Sequence, residues 1–246
     1  MTAQDSRRYR TIFFDLDGTL LPIDMDTFLA QYFSSLKRFA DARGYDGNAI
    51  LAAVNQGVKS MVGTDPRMND VCFWETFEAL TGKTRAEFEP LLMEFYETDF
   101  DAIGNMVEAN PCAVQIVEAL VQKGYQLFLT TMPLFPPVAV EARLRWAGID
   151  DPSVFDRITT YDNSHAAKPH LAYFQENIDL ARGGANEVLM VGNNTREDLA
   201  CCELGADAYL VTDWLLDPID LDYHAMKHGS LEDLLAFVQD LPECDR

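Results

Sequence analysis

Several things are missing from this sequence or scarce in it, and each absence narrows what the chain can be. No apolar run approaches the roughly 18 residues that a membrane-spanning helix requires. The opening stretch Met1–Arg10 is polar and leads straight into a strand-like run, with no signal-peptide core, so a cytoplasmic protein is expected. The five cysteines, Cys72, Cys112, Cys201, Cys202 and Cys244, form no C-x-x-C pair and are odd in number. That argues against a disulfide framework and against a zinc site; the adjacent Cys201 and Cys202 read as small buried residues of a helix. Positive charge is also scarce. Lys and Arg number 19 against 40 Asp and Glu, a formal net charge of −21. Such a surface repels polyanions, so neither nucleic acid nor an anionic membrane is expected as a partner. A phosphorylated ligand would have to be held locally, by a metal ion and a few cations. Internal repeats, low-complexity tracts and long charge runs are absent too.

What the chain does contain is a series of short apolar runs that do not alternate with polar residues: Thr11–Phe14, Tyr125–Thr130, Glu187–Val191 and Ala208–Val211. Runs of that kind suit parallel strands buried on both faces. Helical patterns lie between them. In Pro111–Lys123 the positions Val114, Val117, Leu120 and Val121 share one face and Gly124 stands at the stop position; Leu171–Ala181 and Glu197–Leu204 read the same way. This alternation predicts an α/β fold with a doubly wound parallel sheet. One stretch departs from it. From Asp24 to Ala109 the pattern is helical throughout, with Phe28, Tyr32, Leu36 and Phe39 on one face. Val54, Val58 and Met61 follow, then Phe73, Trp74, Phe77 and Leu80. Thr84-Arg-Ala-Glu87 has the form of a capping box opening a helix with Phe88, Leu91, Leu92 and Phe95. Residues 23–109 are therefore expected to form a helical domain inserted into a core made of 1–22 and 110–246. With nearly half its residues apolar (48%), a chain of 246 residues can bury such a core.

Open α/β sheets bind ligands at the carboxyl ends of their strands, so the polar residues there are the candidates. The first strand ends in Asp15-Leu16-Asp17-Gly18-Thr19-Leu20. Two carboxylates two residues apart can face one cleft if the chain turns at once, and Gly18 permits the turn. A carboxylate can attack phosphorus, a neighbouring acid can protonate the leaving oxygen, and a crowded pair attracts a hard divalent cation. A lone Asp-Gly is more often an Asx turn, but the whole string after an apolar run is not.

The segment Phe13-Phe14-Asp15-Leu16-Asp17-Gly18-Thr19-Leu20 resembles the first signature of the haloacid dehalogenase-like superfamily. The resemblance implies that Asp15 is the nucleophile and Asp17 the general acid/base, with Mg²⁺ held by the Asp15 carboxylate and the Asp17 carbonyl. Leu127-Phe128-Leu129-Thr130-Thr131 is similar to the second signature, with Thr131 at the phosphate-binding position and Thr130 in reserve. Ala167-Lys168-Pro169 matches the third, Lys168 offsetting the carboxylates and Pro169 suiting a first helical position. Val188–Gly192 followed by Asn193-Asn194-Thr195-Arg196-Glu197-Asp198 stands where the fourth is expected. There the first acid is replaced by Asn193, whose amide oxygen is still a hard ligand, and Asp198 matches the later acid of the metal site, as ligand or as support for Asn193 or a metal-bound water. Asn194 and Glu197 are weaker metal candidates. The helical insert resembles the C1-type cap, with its hinge between Leu20 and Thr27.

The resulting expectation is a Mg²⁺-dependent phosphatase acting on a small phosphorylated metabolite. The alternatives are a phosphomutase using the same aspartyl-phosphate, or a catalytically weak binding or regulatory member. A haloacid dehalogenase is disfavoured, because that chemistry does not call for Asp17 or a metal. Arg67 and Asn69 read as residues of a solvated loop, His165 as a substrate contact or a turn cap, Trp74 as core of the insert, and Gly183-Gly184 as a helix end.

Overall fold

In the computed structural model, residues 9–63 and 65–244 are described; the first eight residues of the expected core, Thr64 and the last two residues lie outside them. Six strands form one parallel sheet: β1 (Thr11–Phe14), β2 (Gln126–Leu129), β3 (Arg157–Ile158), β4 (Val188–Gly192), β5 (Asp207–Val211) and β6 (Lys227–Gly229). Their spatial order is β3-β2-β1-β4-β5-β6, with β1 in the middle pairing to both β2 and β4. The chain winds outward from β1 in one direction and then the other, so the sheet is doubly wound.

The lack of alternation in the strand sequences follows from this arrangement. Side chains along a strand point to opposite faces. Ile12 and Phe14 enter a large apolar cluster together with Leu127, Leu129, Leu189 and Val191. Phe13 faces the other way, where it stacks on Phe128 at 5.4 Å and meets Met190, Tyr173 and Phe174. Both faces are covered, so apolar residues are needed at every position. The first face is packed by α5 (Pro111–Gln122), α6 (Pro137–Trp146) and α8 (Leu231–Asp240), the second by α7 (Leu171–Ile178) and a 3-10 turn over Leu199–Leu204.

Between β1 and α5 run α1 (Met25–Ala42), α2 (Gly47–Met61), α3 (Asn69–Thr81) and α4 (Arg85–Phe95). Phe28, Tyr32, Leu36 and Phe39 of α1 are buried as one face. The Glu87 carboxylate accepts from the Thr84 N–H at 2.9 Å, the reciprocal bond of a capping box. A π-helical turn (Tyr96–Phe100) and a 3-10 turn (Asp101–Met106) then lead back to the sheet. Here Phe100 packs at 5.0 Å from Trp146 of α6.

Several elements differ from the sequence reading. Leu80 and Val121 are exposed, because the buried faces are formed by Phe73, Trp74 and Phe77 in α3 and by Ala113, Ile116, Val117 and Leu120 in α5. Glu197–Leu204 is a 3-10 turn from Leu199, and of its cysteines Cys201 is buried but Cys202 exposed. α7 begins at Leu171, so Pro169 lies ahead of the helix in the turn closed by His170 N–H to the Ala167 carbonyl. α6 begins at Pro137, where a proline fits because its missing N–H has no helical partner in any case.

The return of the chain to the sheet depends on a close approach. A Cβ on Gly104 would stand 2.3 Å from the Trp146 indole. Gly104→Ala is expected to destabilise the fold by about 1–3 kcal/mol through overpacking. The measurement is a urea unfolding curve, with a lower midpoint at unchanged slope.

Candidate active site

The strand order reverses direction between β1 and β4, and the crevice at their carboxyl ends collects polar residues from four loops. The β1 chain continues straight into Asp15, whose N–H donates to the Val191 carbonyl at 2.8 Å. It then folds back within six residues: Gly18 N–H donates to the Leu21 carbonyl at 2.8 Å and Leu21 N–H to the Leu16 carbonyl at 2.9 Å. Gly18 has φ 82°, which a residue with a Cβ rarely adopts. A side chain there would also strike the Asn193 amide, 2.2 Å from the Cβ position.

Asp15 is buried, and its two oxygens have different partners. Oδ1 accepts from Lys168 Nζ at 2.7 Å, and Oδ2 from Thr19 Oγ1 at 3.2 Å. The same ammonium donates to Asp198 Oδ1 at 2.6 Å, while Asp198 Oδ2 accepts from the Asn194 N–H at 2.9 Å. Burial alone would push the Lys168 ammonium toward deprotonation, but the charges of Asp15 and Asp198 outweigh it and hold its pKa well above the usual lysine range. Burial likewise raises Asp198, against the pull of Lys168 and with the push of Asp15, to about 6. Both Asp198 oxygens are thus occupied by Lys168 and backbone. Asp198 does not hold Asn193, as the sequence allowed; the Asn193 Nδ2 donates to the Trp214 carbonyl at 2.6 Å instead. Since that carbonyl can only accept, the Asn193 oxygen must turn the other way, where it lies 3.4 Å from Thr19 Oγ1.

Thr130 and Thr131 separate cleanly. The Thr130 hydroxyl donates to the Phe14 carbonyl at 3.3 Å, tying β2 to β1. The Thr131 hydroxyl is buried with no protein partner, a free donor at a strand end. Its backbone is fixed through its carbonyl, which accepts from Thr159 Oγ1 and from the Tyr173 hydroxyl, each at 2.8 Å.

The Asp17 side chain has a partner that the sequence did not announce. Its Oδ2 is paired with Nη1 of Arg143, a residue of α6 that is only 1% exposed. Burial raises the Asp17 carboxyl; Arg143 and Lys168 oppose this and Asp15 adds to it, and the net direction is upward. Among the weaker candidates, the Asn194 oxygen caps the Arg196 and Glu197 N–H groups at 3.0 and 3.1 Å. Glu197, raised by burial, lines an open cleft with Lys168, Met132 and Val62. Arg67 is exposed and paired with Asp65 and Glu75, and His165 with Glu176. Trp74 is buried among Phe73 and Phe77.

Asn69 is not a loop residue. It is the first residue of α3, 1% exposed, and its Nδ2 donates to the Pro133 carbonyl at 3.2 Å and the Ala166 carbonyl at 3.3 Å. It therefore links the helical segment to the two loops that carry Thr131 and Lys168. Sequence reasoning also missed roles for Arg143, Thr19 and Tyr173. The one available signal for Arg143 was the apolar spacing of Ala139, Val140, Ala142 and Leu144, masked by Pro133, Pro136 and Pro137 at the start of that stretch.

A model of the haloacid dehalogenase-like hydrolase family matches residues 9–202. The chain belongs to this family. Among curated proteins, this haloacid dehalogenase-like chain is 27% identical over 191 residues to pyrophosphatase PpaX of Anoxybacillus flavithermus (strain DSM 21510 / WK1), covering 77% of each chain. It is 24% identical over 187 residues to PpaX of Bacillus cereus (strain G9842), covering 76% of each. Among solved structures it is similar to a haloacid dehalogenase-like phosphatase from Thermococcus onnurineus (TM-score 0.57, 18% identity, 95% of this chain and 99% of that one). It is also similar to L-2-haloacid dehalogenase from Xanthobacter autotrophicus (TM-score 0.54, 15% identity, 95% and 99%). At these identities the two structures speak for the fold. No helix among the described residues is long and apolar enough to cross a membrane.

Among the described residues Lys168 is the only cation bonded to Asp15 and Asp198, so its removal has a calculable consequence. Lys168→Met leaves two buried carboxylates without their counter-ion, expected to cost about 3–5 kcal/mol at pH 8. Asp198, already raised by burial, then titrates still further above its unfolded value, so the folded state binds more protons than the unfolded state and stability falls as pH rises. With Asp198 already at about 6 in the presence of Lys168, the variant should be distinctly more stable at pH 5 than at pH 8 relative to the unmodified protein. Urea midpoints at the two pH values check this; an equal loss at both would contradict it.

Proposed function

We propose that this protein is a Mg²⁺-dependent phosphohydrolase that passes the phosphoryl group of a small phosphorylated metabolite through the Asp15 carboxylate. The observation that carries the reading is the combination at one strand end: a buried carboxylate held by Lys168 and Thr19, beside the unpartnered Thr131 hydroxyl. A carboxylate held by fixed donors on both oxygens is oriented for in-line attack. Thr131 and Lys168 supply donors for phosphoryl oxygens in a water-poor site, where such donors act most strongly. Asp17 would give a proton to the leaving oxygen and later take one from the attacking water. Its upward shift against an opposing arginine suits a group that must do both.

Among the described residues no three His, Cys, Asp or Glu side chains gather in the manner of an all-side-chain metal site. The donors that fit Mg²⁺ are the Asp15 carboxylate, the Asn193 amide oxygen and the Asp17 backbone carbonyl, an all-oxygen set of the kind a hard cation takes. The Thr19 hydroxyl, within reach of both Asp15 Oδ2 and Asn193 Oδ1, brings these two oxygens toward one point. When bound, Mg²⁺ would neutralise charge on the transferring group. The curated relatives named pyrophosphatase and a solved relative described as bound to magnesium, the putative hydrolase YfnB of Bacillus subtilis, support phosphorus chemistry with this ion. Helices α1–α4 act as the cap over the site, docked through Asn69.

The test is phosphate release from p-nitrophenyl phosphate, from inorganic pyrophosphate and from a panel of phosphorylated metabolites, with and without Mg²⁺. Release should require Mg²⁺ and fall by at least ~10³-fold in Asp15→Asn, as for loss of a covalent nucleophile. Chloride release from 2-chloropropionate, with no phosphate release from any ester, would overturn the reading in favour of attack on carbon.

A further inference from the structure

Asp17 and Arg143 form a buried ion pair 126 residues apart in sequence. Buried pairs are poor stabilisers, because the cost of removing both charges from water is large and a matched apolar pair often does as well. A pair kept close to the charges of Asp15 and Lys168 therefore calls for another reason. The backbone bonds of the Leu16–Leu21 turn fix where the Asp17 main chain lies but leave its side chain free to rotate. Arg143 is the partner that the Asp17 side chain has.

Arg143 is itself held from two further directions. Its Nε donates to the Ala139 carbonyl at 3.3 Å, within its own helix, and its guanidinium lies 4.5 Å from the centre of the Phe135 ring. Phe135 in turn packs on Tyr32 and Phe28 of α1 and on Phe100. A side chain so enclosed has little freedom, so whatever it binds is fixed as well. The contact is one-sided: Asp17 Oδ2 is engaged, while Asp17 Oδ1 and Arg143 Nη2 are buried without protein partners. One oxygen is anchored and the other is left available.

We infer that Arg143 is a positioning residue for the reaction, anchoring Asp17 by Oδ2 so that Oδ1 is presented to the leaving oxygen. This rests on the reading of Asp17 as the general acid/base. As the bond between an Asp15 oxygen and phosphorus forms and the bond from phosphorus to the leaving oxygen breaks, the proton on Asp17 passes to that oxygen. In the second half a water oxygen bonds to phosphorus, its proton returns to Asp17, and the bond from phosphorus to Asp15 breaks.

A residue that acts only by orienting a general acid has a distinctive signature. Its loss matters little when the leaving group departs readily as an anion and matters greatly when it needs the proton. The experiment measures kcat/KM, with Mg²⁺, for a series of substituted phenyl phosphates from p-nitrophenyl to p-methoxyphenyl phosphate. General acid catalysis contributes roughly 10²–10⁴-fold, so Arg143→Met should lower the rate on phenyl and p-methoxyphenyl phosphate by ~100-fold. On p-nitrophenyl phosphate the loss should be under ~10-fold, which steepens the dependence on leaving-group pKa. Asp17→Asn should show the same steepening, and the Asp17→Asn/Arg143→Met double variant no further loss, since both changes remove one function. Arg143→Lys should fall between, because an ammonium restores the charge but not the planar fork. If Arg143→Met folds poorly, the double variant removes the orphaned charge and still reports the slope. An equal loss across all esters, or losses that multiply in the double variant, would overturn the role of Arg143 while leaving the proposed function intact. Full activity in Asp15→Asn would instead sink the proposed function, and an unmodified enzyme inert toward every ester would sink both.

Discussion

One ammonium group holds this site in place. Lys168 Nζ lies between Asp15 and Asp198, donates to each at 2.6–2.7 Å, and is itself almost completely buried. Two carboxylates facing one cation leave an excess negative charge in a region where charge is costly. The excess is visible in the raised position of Asp198, which burial and Asp15 push up against the pull of Lys168. Asp17 does not add to it, since Arg143 balances that charge. Asp15, Asp198 and Lys168 together thus leave negative charge on the side of Asp15, to which Glu197 adds, and that is where the proposed function puts a hard cation. The overall charge of −21 sharpens the point: on the proposed function, a phosphorylated substrate is repelled at long range and needs that cation together with Lys168 locally.

The sheet topology is what allows four distant stretches to meet there. β1 is central and pairs with both β2 and β4, so the residues just past all three strand ends lie in adjacent rows. Asp15 and Asn193 follow β1 and β4 directly, Thr131 follows β2 after Thr130, and Lys168 arrives on the connection after β3. The helical segment is fitted onto this arrangement rather than set apart from it. Asn69, at the start of α3, donates to the carbonyls of Pro133 and Ala166. Its position relative to Thr131 and Lys168 is thus set by both loops at once, and movement of α3 would break two buried hydrogen bonds.

Much of this could be read from the sequence, and the limits have physical causes. The four central strands and the helices of the insert announce themselves because each buries an apolar face, and Asp15 and Asn193 because each sits at the end of such a run; Thr131 and Lys168 are legible only through their resemblance to the family signatures. β3 and β6 are only two and three residues long. Such edge strands owe their existence to a neighbour's hydrogen bonds, which leave no pattern. α6 is not among the helices expected from the sequence: Pro133 and Pro136 stand just ahead of it and Pro137 opens it, although a proline at the first helical position is compatible with a helix. That omission concealed Arg143, whose burial depends on a carboxylate far away in the chain. Arg or Asn in the interior of a motif looks solvated until tertiary structure supplies the partner, and for Arg143 and Asn69 the partners come from other loops.

Asn193 shows how local hydrogen bonding can decide between two nearly isosteric side chains. The family pattern leads one to expect an acid there, and an amide looks like a loss of metal affinity. In this chain the neighbour of the side chain is the Trp214 carbonyl, an acceptor at 2.6 Å from Nδ2. A carboxylate in the same place would set two acceptors against each other in a buried site and add to the negative charge already present around Asp15 and Asp198. The amide satisfies the carbonyl with its N–H and still turns an oxygen toward Thr19 and Asp15. Gly18 completes the arrangement, since any side chain at that position would displace the amide. The substitution and its surroundings are thus mutually consistent: the loop that brings Trp214 over the site requires a donor at position 193, and the oxygen that a hard cation could use is retained.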